Sequence, residues 1–414
     1  MTKIMLITSR LPYPNLDGRK NILSQYMEDF KEVIPDLQII NLSYVDNAKY
    51  FNEKPNIIDH LEKIDFPGIV EKIFNIILYT LILRKWPLQV SLFFSRKTKS
   101  KIRNKIKEYR PDYIFFDMIR VAEYLIDGHY QTIMSYDDLL SARYSRQSNW
   151  VEYTSIGNVH HLLPKMFRNI VNNKKIKKII LMFESKLTKK YEISISRKFK
   201  HLVFTSPKEA TEFKRVTKHP SCIGIPMKFN VSKRNDARIY DKNKIVFTGK
   251  MDVAHNTSAV LFFCEKIWPR ITEEMPQMKF YIVGSNPSKD ILNLTKEYNN
   301  IIVTGEVMSI KDFISDAALL VAPLLFGTGI KTKIIEAMSL GVPVVTNEIG
   351  IEGIAAYTQR DYYNYKDEDE LIHNIMLLVN DDQENNRISE NSMSFVMENF
   401  SKGDIQRKWR QILI

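Results

Sequence analysis

Between Ala322 and Val345 the chain reads APLLFGTGIKTKIIEAMSLGVPVV, and its residue types are spaced for phosphate chemistry. An apolar run ends at Pro323, Gly327 and Gly329 follow in a loop, and helical spacing begins near Lys331 with Glu336 one to two turns in. A strand, loop and helix in this order leave backbone N–H groups unpaired at the helix start, where the dipole favours an anion. Gly329, Ile330 and Lys331 with Lys333 put two ammonium groups at that same end. The pattern is that of a diphosphate cradle, and its plainer alternative is an ordinary strand-to-helix turn with surface lysines.

A second candidate is the acid pair Asp137 and Asp138, placed between the apolar run TIMSY (132–136) and a helical stretch. Paired acids there serve either as helix caps or as carboxylates that orient a reacting hydroxyl. Asp367, Glu368 and Asp369 also stand close together, but they precede the helical pattern Glu370 to Val379, so they read as dipole-favoured helix-start residues. His160 and His161 have no His or carboxylate partner at i+4, and no other histidine completes a metal set. Cys222 and Cys264 are too few for a disulfide framework or a cysteine zinc site, which suits a reducing compartment.

The elements that must hold these residues come from alternation. Runs such as IMLIT (4–8), LQIINL (37–42), YIFF (113–116) and HLVFT (201–205), each followed by helical spacing, predict one set of parallel strands. KIVFTG (244–249), KFYIVG (279–284), NIIVTG (300–305), ALLVAP (318–323) and VPVVT (342–346) predict another. A chain of 414 residues therefore divides into an N-terminal α/β domain over 1–228, a charged linker over 229–243 and a C-terminal α/β domain over 244–399. A last helix over 400–414 is expected to pack back on the first domain. Residues 43–110 read as a helical insert.

Net charge is +12, and residues 1–205 alone carry 34 Lys/Arg against 21 Asp/Glu, so the first half holds the whole excess. Much of it lies in Lys165 to Lys200, with 12 basic residues against Glu184 and Glu192. Apolar residues at Ile176, Ile179, Ile180, Phe183, Leu187 and Tyr191 make this segment an amphipathic helix with lysines outward. A solvated face and an anionic membrane surface are both open readings. Nucleic acid is not expected, because aromatics for base stacking are not interleaved. Ile73 to Leu83 is the longest nearly apolar stretch, about half the length of a transmembrane helix, so no transmembrane helix is expected. MTKIMLITSR lacks the apolar core of a signal peptide, which predicts a cytoplasmic protein, peripheral on the inner membrane face if the basic segment engages lipid.

EAMSLGVPVV (336–345), KIVFTGKMDVAHNTSAVLFF (244–263) and VTGEV (303–307) together resemble the retaining GT-B glycosyltransferases of family 4. SRLPYPNLDGRKNIL (9–23) and YDDLLSARYSR (136–146) resemble acceptor-side segments of a subgroup of that family. The resemblance implies two Rossmann-like domains facing across a cleft, and a sugar moved from a nucleotide-diphosphate donor, UDP-linked by expectation, to a glycan or lipid-linked acceptor with retention and without a metal or other cofactor. Carried over by position, Glu336 holds the ribose hydroxyls, Gly305 and Val307 lie at the nucleobase, and Lys250 with the Gly329–Lys331 loop and Lys333 binds diphosphate. Thr328 stands where the family has a Glu that contacts the donor sugar, and Asn256 where it has a second diphosphate lysine. Asp137 occupies the place of a His near the donor sugar, and Asp138 follows it. Gly18 and Arg19 lie on the acceptor loop. The two departures leave open a non-catalytic scaffold or glycan-recognition subunit, and a nucleotide-sugar epimerase is a further alternative.

Overall fold

Seven parallel strands form the first sheet in the order β3-β2-β1-β4-β5-β6-β7. They are Lys3–Thr8 (β1), Gln38–Tyr44 (β2), His60–Ile64 (β3), Tyr113–Asp117 (β4), Gln131–Asp137 (β5), His201–Phe204 (β6) and Cys222–Gly224 (β7). Six more form the second in the order β10-β9-β8-β11-β12-β13: Asp241–Thr248 (β8), Lys279–Val283 (β9), Ile301–Gly305 (β10), Ala317–Ala322 (β11), Val344–Thr346 (β12) and Tyr363–Asn364 (β13). The computed structural model describes residues 1–15, 18–151, 173–231 and 238–414. With helices on both sheets this is the GT-B pair of α/β units. The strands agree with the apolar runs, apart from β3 and β13. HLEKI and YN have no buried apolar run to betray them, because each lies at a sheet edge.

The chain separates into a first unit, Met1–Met227 with Ile405–Ile414, and a second, Lys228–Asp404. The expected linker over 229–243 needs correction: its described residues are built into the second unit. Phe229 packs edge-on to Phe400, and β8 already starts at Asp241. Arg238 is buried, and its guanidinium donates to the carbonyls of Ala317 and Ala318 and to Asn385 Oδ1. The final helix, Lys402–Leu413, brings Trp409 against Tyr26 and Phe30 of the first unit, with ring centroids 4.9 and 4.6 Å apart and nearly perpendicular planes. Tyr26 and Phe30 belong to the helix Gly18–Val33, so this aromatic group clamps the helix that follows β1.

Two helices depart from their expected faces. In Lys174–Ser196 the buried line runs through Leu181, Glu184, Leu187, Thr188, Tyr191, Glu192 and Ile195, while Ile179 and Met182 are exposed. Carboxylates turn inward because they have donors there: the Leu88 N–H reaches Glu184 Oε2 at 2.9 Å, and the Ser141 N–H and hydroxyl reach Glu192. Residues 165–172 of the basic segment, and both His160 and His161, lie outside the described residues.

The insert is inverted more strongly. Ile69–Asn75 continues into a wider helical turn over Ile76–Ile82, and its buried residues are Asn75, Ile76 and Thr80, two of them polar. Asn75 donates to the carbonyls of Ser91 and Phe94, and Thr80 bonds the Ser91 hydroxyl at 2.8 Å. Its outer face carries Val70, Phe74, Ile77, Leu81 and Ile82, all exposed, with Val70 at 77%. Among the described residues no helix is long and apolar enough to cross a membrane.

Candidate active site

In an open parallel sheet the crevice for a ligand opens at the carboxyl ends of the two strands where the winding order reverses. Those strands are β8 and β11 in the second unit, and β1 and β4 in the first. Both sets of sequence candidates fall there.

In the second unit, β8 runs into Gly249 and Lys250, and β11 into the loop that precedes the helix Thr332–Ser339. Lys333, in the first turn of this helix, donates from Nζ to Asn256 Oδ1 at 2.6 Å and lies 3.9 Å from the Phe247 ring centroid. Asn256 in turn donates from Nδ2 to the Lys250 carbonyl at 2.9 Å, so the amide fixes the ammonium against the end of β8. Burial, with the repulsion of Lys331 added, pushes the Lys333 amine down to about 7. Gly249, with φ of +153°, leaves room for this arrangement. A Cβ on it would stand 2.7 Å from Asn256 Nδ2 and 2.9 Å from Lys333 Nζ. Gly284, at the end of β9, is equally forced, since its Cβ would meet the Gly249 carbonyl at 1.8 Å.

The lysines divide their work differently from the sequence expectation. Lys331 is the N-cap residue and is buried, and its Nζ donates to the carbonyls of Thr328 at 3.0 Å and Gly329 at 2.5 Å. It ties the glycine loop into shape. Gly329 adopts the left-handed conformation (φ +69°) this turn needs, and Ile330 packs inward on the apolar core of the unit. Lys250 is exposed beside Asp252, 3.4 Å away. Thr328 sits in the loop with its carbonyl engaged by Lys331.

Glu336 lies on the same helix, half-buried, and its carboxylate has no hydrogen bond among the described residues. Burial raises its pKa, against the opposing pull of Lys311. A half-buried acceptor pair with nothing donating to it among the described residues is suited to hydroxyl donors. Gly305, in the left-handed region, ends β10 and accepts from the Gly284 N–H at 3.2 Å, and Val307 packs against the core face just beyond.

In the first unit the central feature is Arg19, which is buried and not on an open loop as expected. Its Nε and Nη2 both reach Asp117 Oδ1, Nη2 donates to Ser135 Oγ at 2.9 Å, and Nη1 stands 3.2 Å from Asp137 Oδ1. Asp117 also accepts from the Ser9 N–H and hydroxyl, and Arg19 holds its carboxyl below the usual range despite burial. Asp137 has φ of +65°, which Asp tolerates at a cost of about 1–2 kcal/mol. Two bonds to its carbonyl, from the Thr205 N–H and hydroxyl, hold it there and aim the carboxylate at Arg19. Burial raises the Asp137 pKa against the attraction of Arg19.

The acid pair is thereby split. Asp138 is buried and locked in a two-point pair with Arg143, Nε at 3.2 Å and Nη2 at 2.5 Å. Of the two acids, Asp137 keeps the partly exposed carboxylate, with 19% of its side chain accessible against 3% for Asp138. Gly18 is exposed at the start of its helix with open space around it, so the fold itself does not require a glycine there. Asp367 accepts from the Glu370 N–H as a helix cap, and no cluster of metal-binding side chains exists among the described residues. Sequence reasoning missed Asp117, Phe247, Gly249 and Gly284. The two glycines were readable as the terminal residues of KIVFTG and KFYIVG; Asp117 and Phe247 gave no local signal.

This geometry and fold define the class: a protein of GT-B architecture, with a crevice at the carboxyl ends of β8 and β11 in the second unit. Residues 242–381 match the sequence model of the family Glycosyl transferases group 1. Over its whole length the chain is 23% identical to an uncharacterized 44.6 kDa protein in the cps region of Klebsiella pneumoniae, with 97% of each chain covered. Sucrose-phosphate synthase from Thermosynechococcus elongatus superposes with a TM-score of 0.67 at 17% identity, covering 99% of this chain and 98% of that one. Anabaena HepE, in complex with UDP and glucose, gives 0.65 at 13% identity over 100% and 99%.

Proposed function

We propose that the protein transfers a sugar from a nucleoside diphosphate sugar to a glycan or lipid-linked acceptor, with retention and without a metal. The observation that carries this reading is the Lys333–Asn256 pair at the β8/β11 crevice, on the helix that also bears an unbonded Glu336. An ammonium fixed there is suited to a leaving diphosphate, whose charge grows as the bond to the sugar breaks. Glu336 takes the vicinal hydroxyls of the ribose. UDP is the nucleotide favoured by the likeness to HepE, and synthesis of a surface polysaccharide is favoured by the cps-region relative.

On this reading the first unit binds the acceptor, and Asp137 supplies the carboxylate that orients its hydroxyl or stabilises positive character on the sugar. The Arg19–Asp117 pair holds that carboxylate in place. The acceptor lies at an anionic membrane, reached through the outward apolar face of residues 69–83. Lys72, Arg84, Lys85 and Arg96 border this face, and Arg96 lies 5.8 Å over the Phe74 ring. Peripheral attachment from the cytoplasmic side accounts for apolar residues that face out while polar ones face in.

Titration calorimetry with UDP tests the donor site. Glu336→Gln is expected to weaken UDP binding by about 1.5–3 kcal/mol, the range for a charged hydrogen bond, while the melting temperature stays level because Glu336 has no internal donor to lose. Unchanged affinity removes Glu336 from the ribose.

A further inference from the structure

At the carboxyl edge of the first sheet, each guanidinium of Arg19 and Arg143 has a carboxylate beside it. Arg120 does not. It lies on the short helical turn Ile119–Tyr124 directly after β4 and is only 5% exposed, yet no carboxylate stands within 4.0 Å of it among the described residues. Its Nε is spent on Gln89 Oε1, and Gln89 is held in turn by the Tyr144 hydroxyl. The guanidinium plane lies 5.6 Å over the Phe93 ring. Both Nη groups are left without a hydrogen bond among the described residues. Burial and the neighbouring charge of Arg10 push the Arg120 pKa down to about 10, against the pull of Tyr144 and Asp117 and with Arg143 adding to the lowering.

An arginine buried without counter-charge is a cost that a fold does not carry for stability. The backbone adds to that cost, since Met118, between Asp117 and this turn, has φ of +66° and ψ of 163°, a conformation open chiefly to glycine. What the cost provides is a rigid guanidinium with no hydrogen bond to its two-pronged Nη end among the described residues, just past the end of β4 at the strand-order reversal where ligands enter.

We propose that Arg120 is the anchor of an anion site in the first unit, taking a carboxylate or phosphate group carried by the acceptor in an end-on, two-bond contact. The site rests on the assignment of acceptor binding to this unit. Its chemistry is shared by a uronic acid residue of a glycan and by the phosphate of a phosphate-linked carrier.

The test titrates the full-length protein with methyl glucuronide and glycerol phosphate, beside methyl glucoside and glycerol as neutral counterparts, in wild type and Arg120→Gln. Glutamine keeps a donor for Gln89 and removes the charge. At least one anionic probe is expected to bind wild type and to lose tenfold or more in affinity in the variant, with Arg120→Lys recovering part of it. The neutral probes bind neither protein, and whichever anion binds identifies carboxylate or phosphate. The melting temperature of Arg120→Gln is expected to equal or exceed that of wild type. Equal anion binding by the two proteins, no anion binding by wild type, or a variant that melts several degrees lower overturns the site. UDP affinity, measured alongside, reports the second unit and separates failure of this site from failure of the donor assignment.

Discussion

Lys333 and Asn256 meet across 2.6 Å although 77 positions separate them, and the amide stands where the family resemblance places a lysine. The cation has in effect changed helices: it arrives from the helix after β11, and the residue after β8 has become its support. Lys333→Met is therefore expected to lower turnover by tenfold or more while changing stability little, because the desolvation that displaces its amine to about 7 offsets what its bond to Asn256 contributes to the fold. A parallel loss of melting temperature and activity would make it a structural lysine.

The same displacement predicts a pH dependence. The Lys333 amine is charged below about pH 7 in the free protein, so the part of UDP affinity that depends on it is fully present below 7 and declines as pH rises through that value. Comparing wild type with Lys333→Met between pH 6 and 9 isolates this component from the ionisation of UDP itself. Identical pH profiles would remove Lys333 from the diphosphate.

Asp137→Asn is expected to leave UDP affinity unchanged and to reduce transfer by an order of magnitude or more. The fold should tolerate the change, since Arg19 keeps Asp117 and Ser135 as partners. Full activity in the Asn variant would reduce Asp137 to a strand-end turn residue.

Glu184 and Glu192 give the first unit a distinct stability profile. Burial raises both to about 8, well above the 4.5 of a solvated glutamate. Between these values the folded state holds two protons that the unfolded chain has released, so the contribution of these two groups to stability is greatest below about pH 4.5 and falls up to pH 8, by on the order of 1 kcal/mol per group per pH unit. Urea midpoints at pH 5 and 8 measure the slope. Glu184→Gln keeps the acceptor for the Leu88 N–H and should remove about half of it; an unaltered slope would show that Glu184 is ionised in the fold.

The inverted insert predicts where a membrane would be engaged. Sedimentation with vesicles containing anionic lipid is expected to bring down wild type at low salt, and Phe74→Ser with Leu81→Ser to abolish this. Reversal of Lys174, Lys175, Lys177 and Lys178 to Glu should weaken it in a salt-dependent way, each lysine contributing on the order of 1 kcal/mol. Wild type remaining in the supernatant, or the double Ser variant still sedimenting, rejects the assignment.

Local pattern alone was enough to read two α/β halves, most of the strands, the glycine loop and the helix that carries Lys333 and Glu336. Each depends on periodicity or on a turn spanning a few residues, and such signals survive without knowledge of neighbours. What only the tertiary structure decided is which residues share a site. Arg19 and Asp117 are 98 positions apart and meet because β1 and β4 are adjacent in the sheet, a pairing no spacing announces. The same adjacency made Arg19 a buried clamp, divided Asp137 from Asp138, and left Arg120 without an ion-pair partner among the described residues. The outward faces of residues 69–83 and of Lys174–Ser196 also lay beyond sequence. A helical period locates an apolar stripe, but the side that turns inward follows from where Ser91, Leu88 and Ser141 offer partners to Asn75, Thr80, Glu184 and Glu192. Buried polar groups are placed by their hydrogen bonds, and those bonds are long-range.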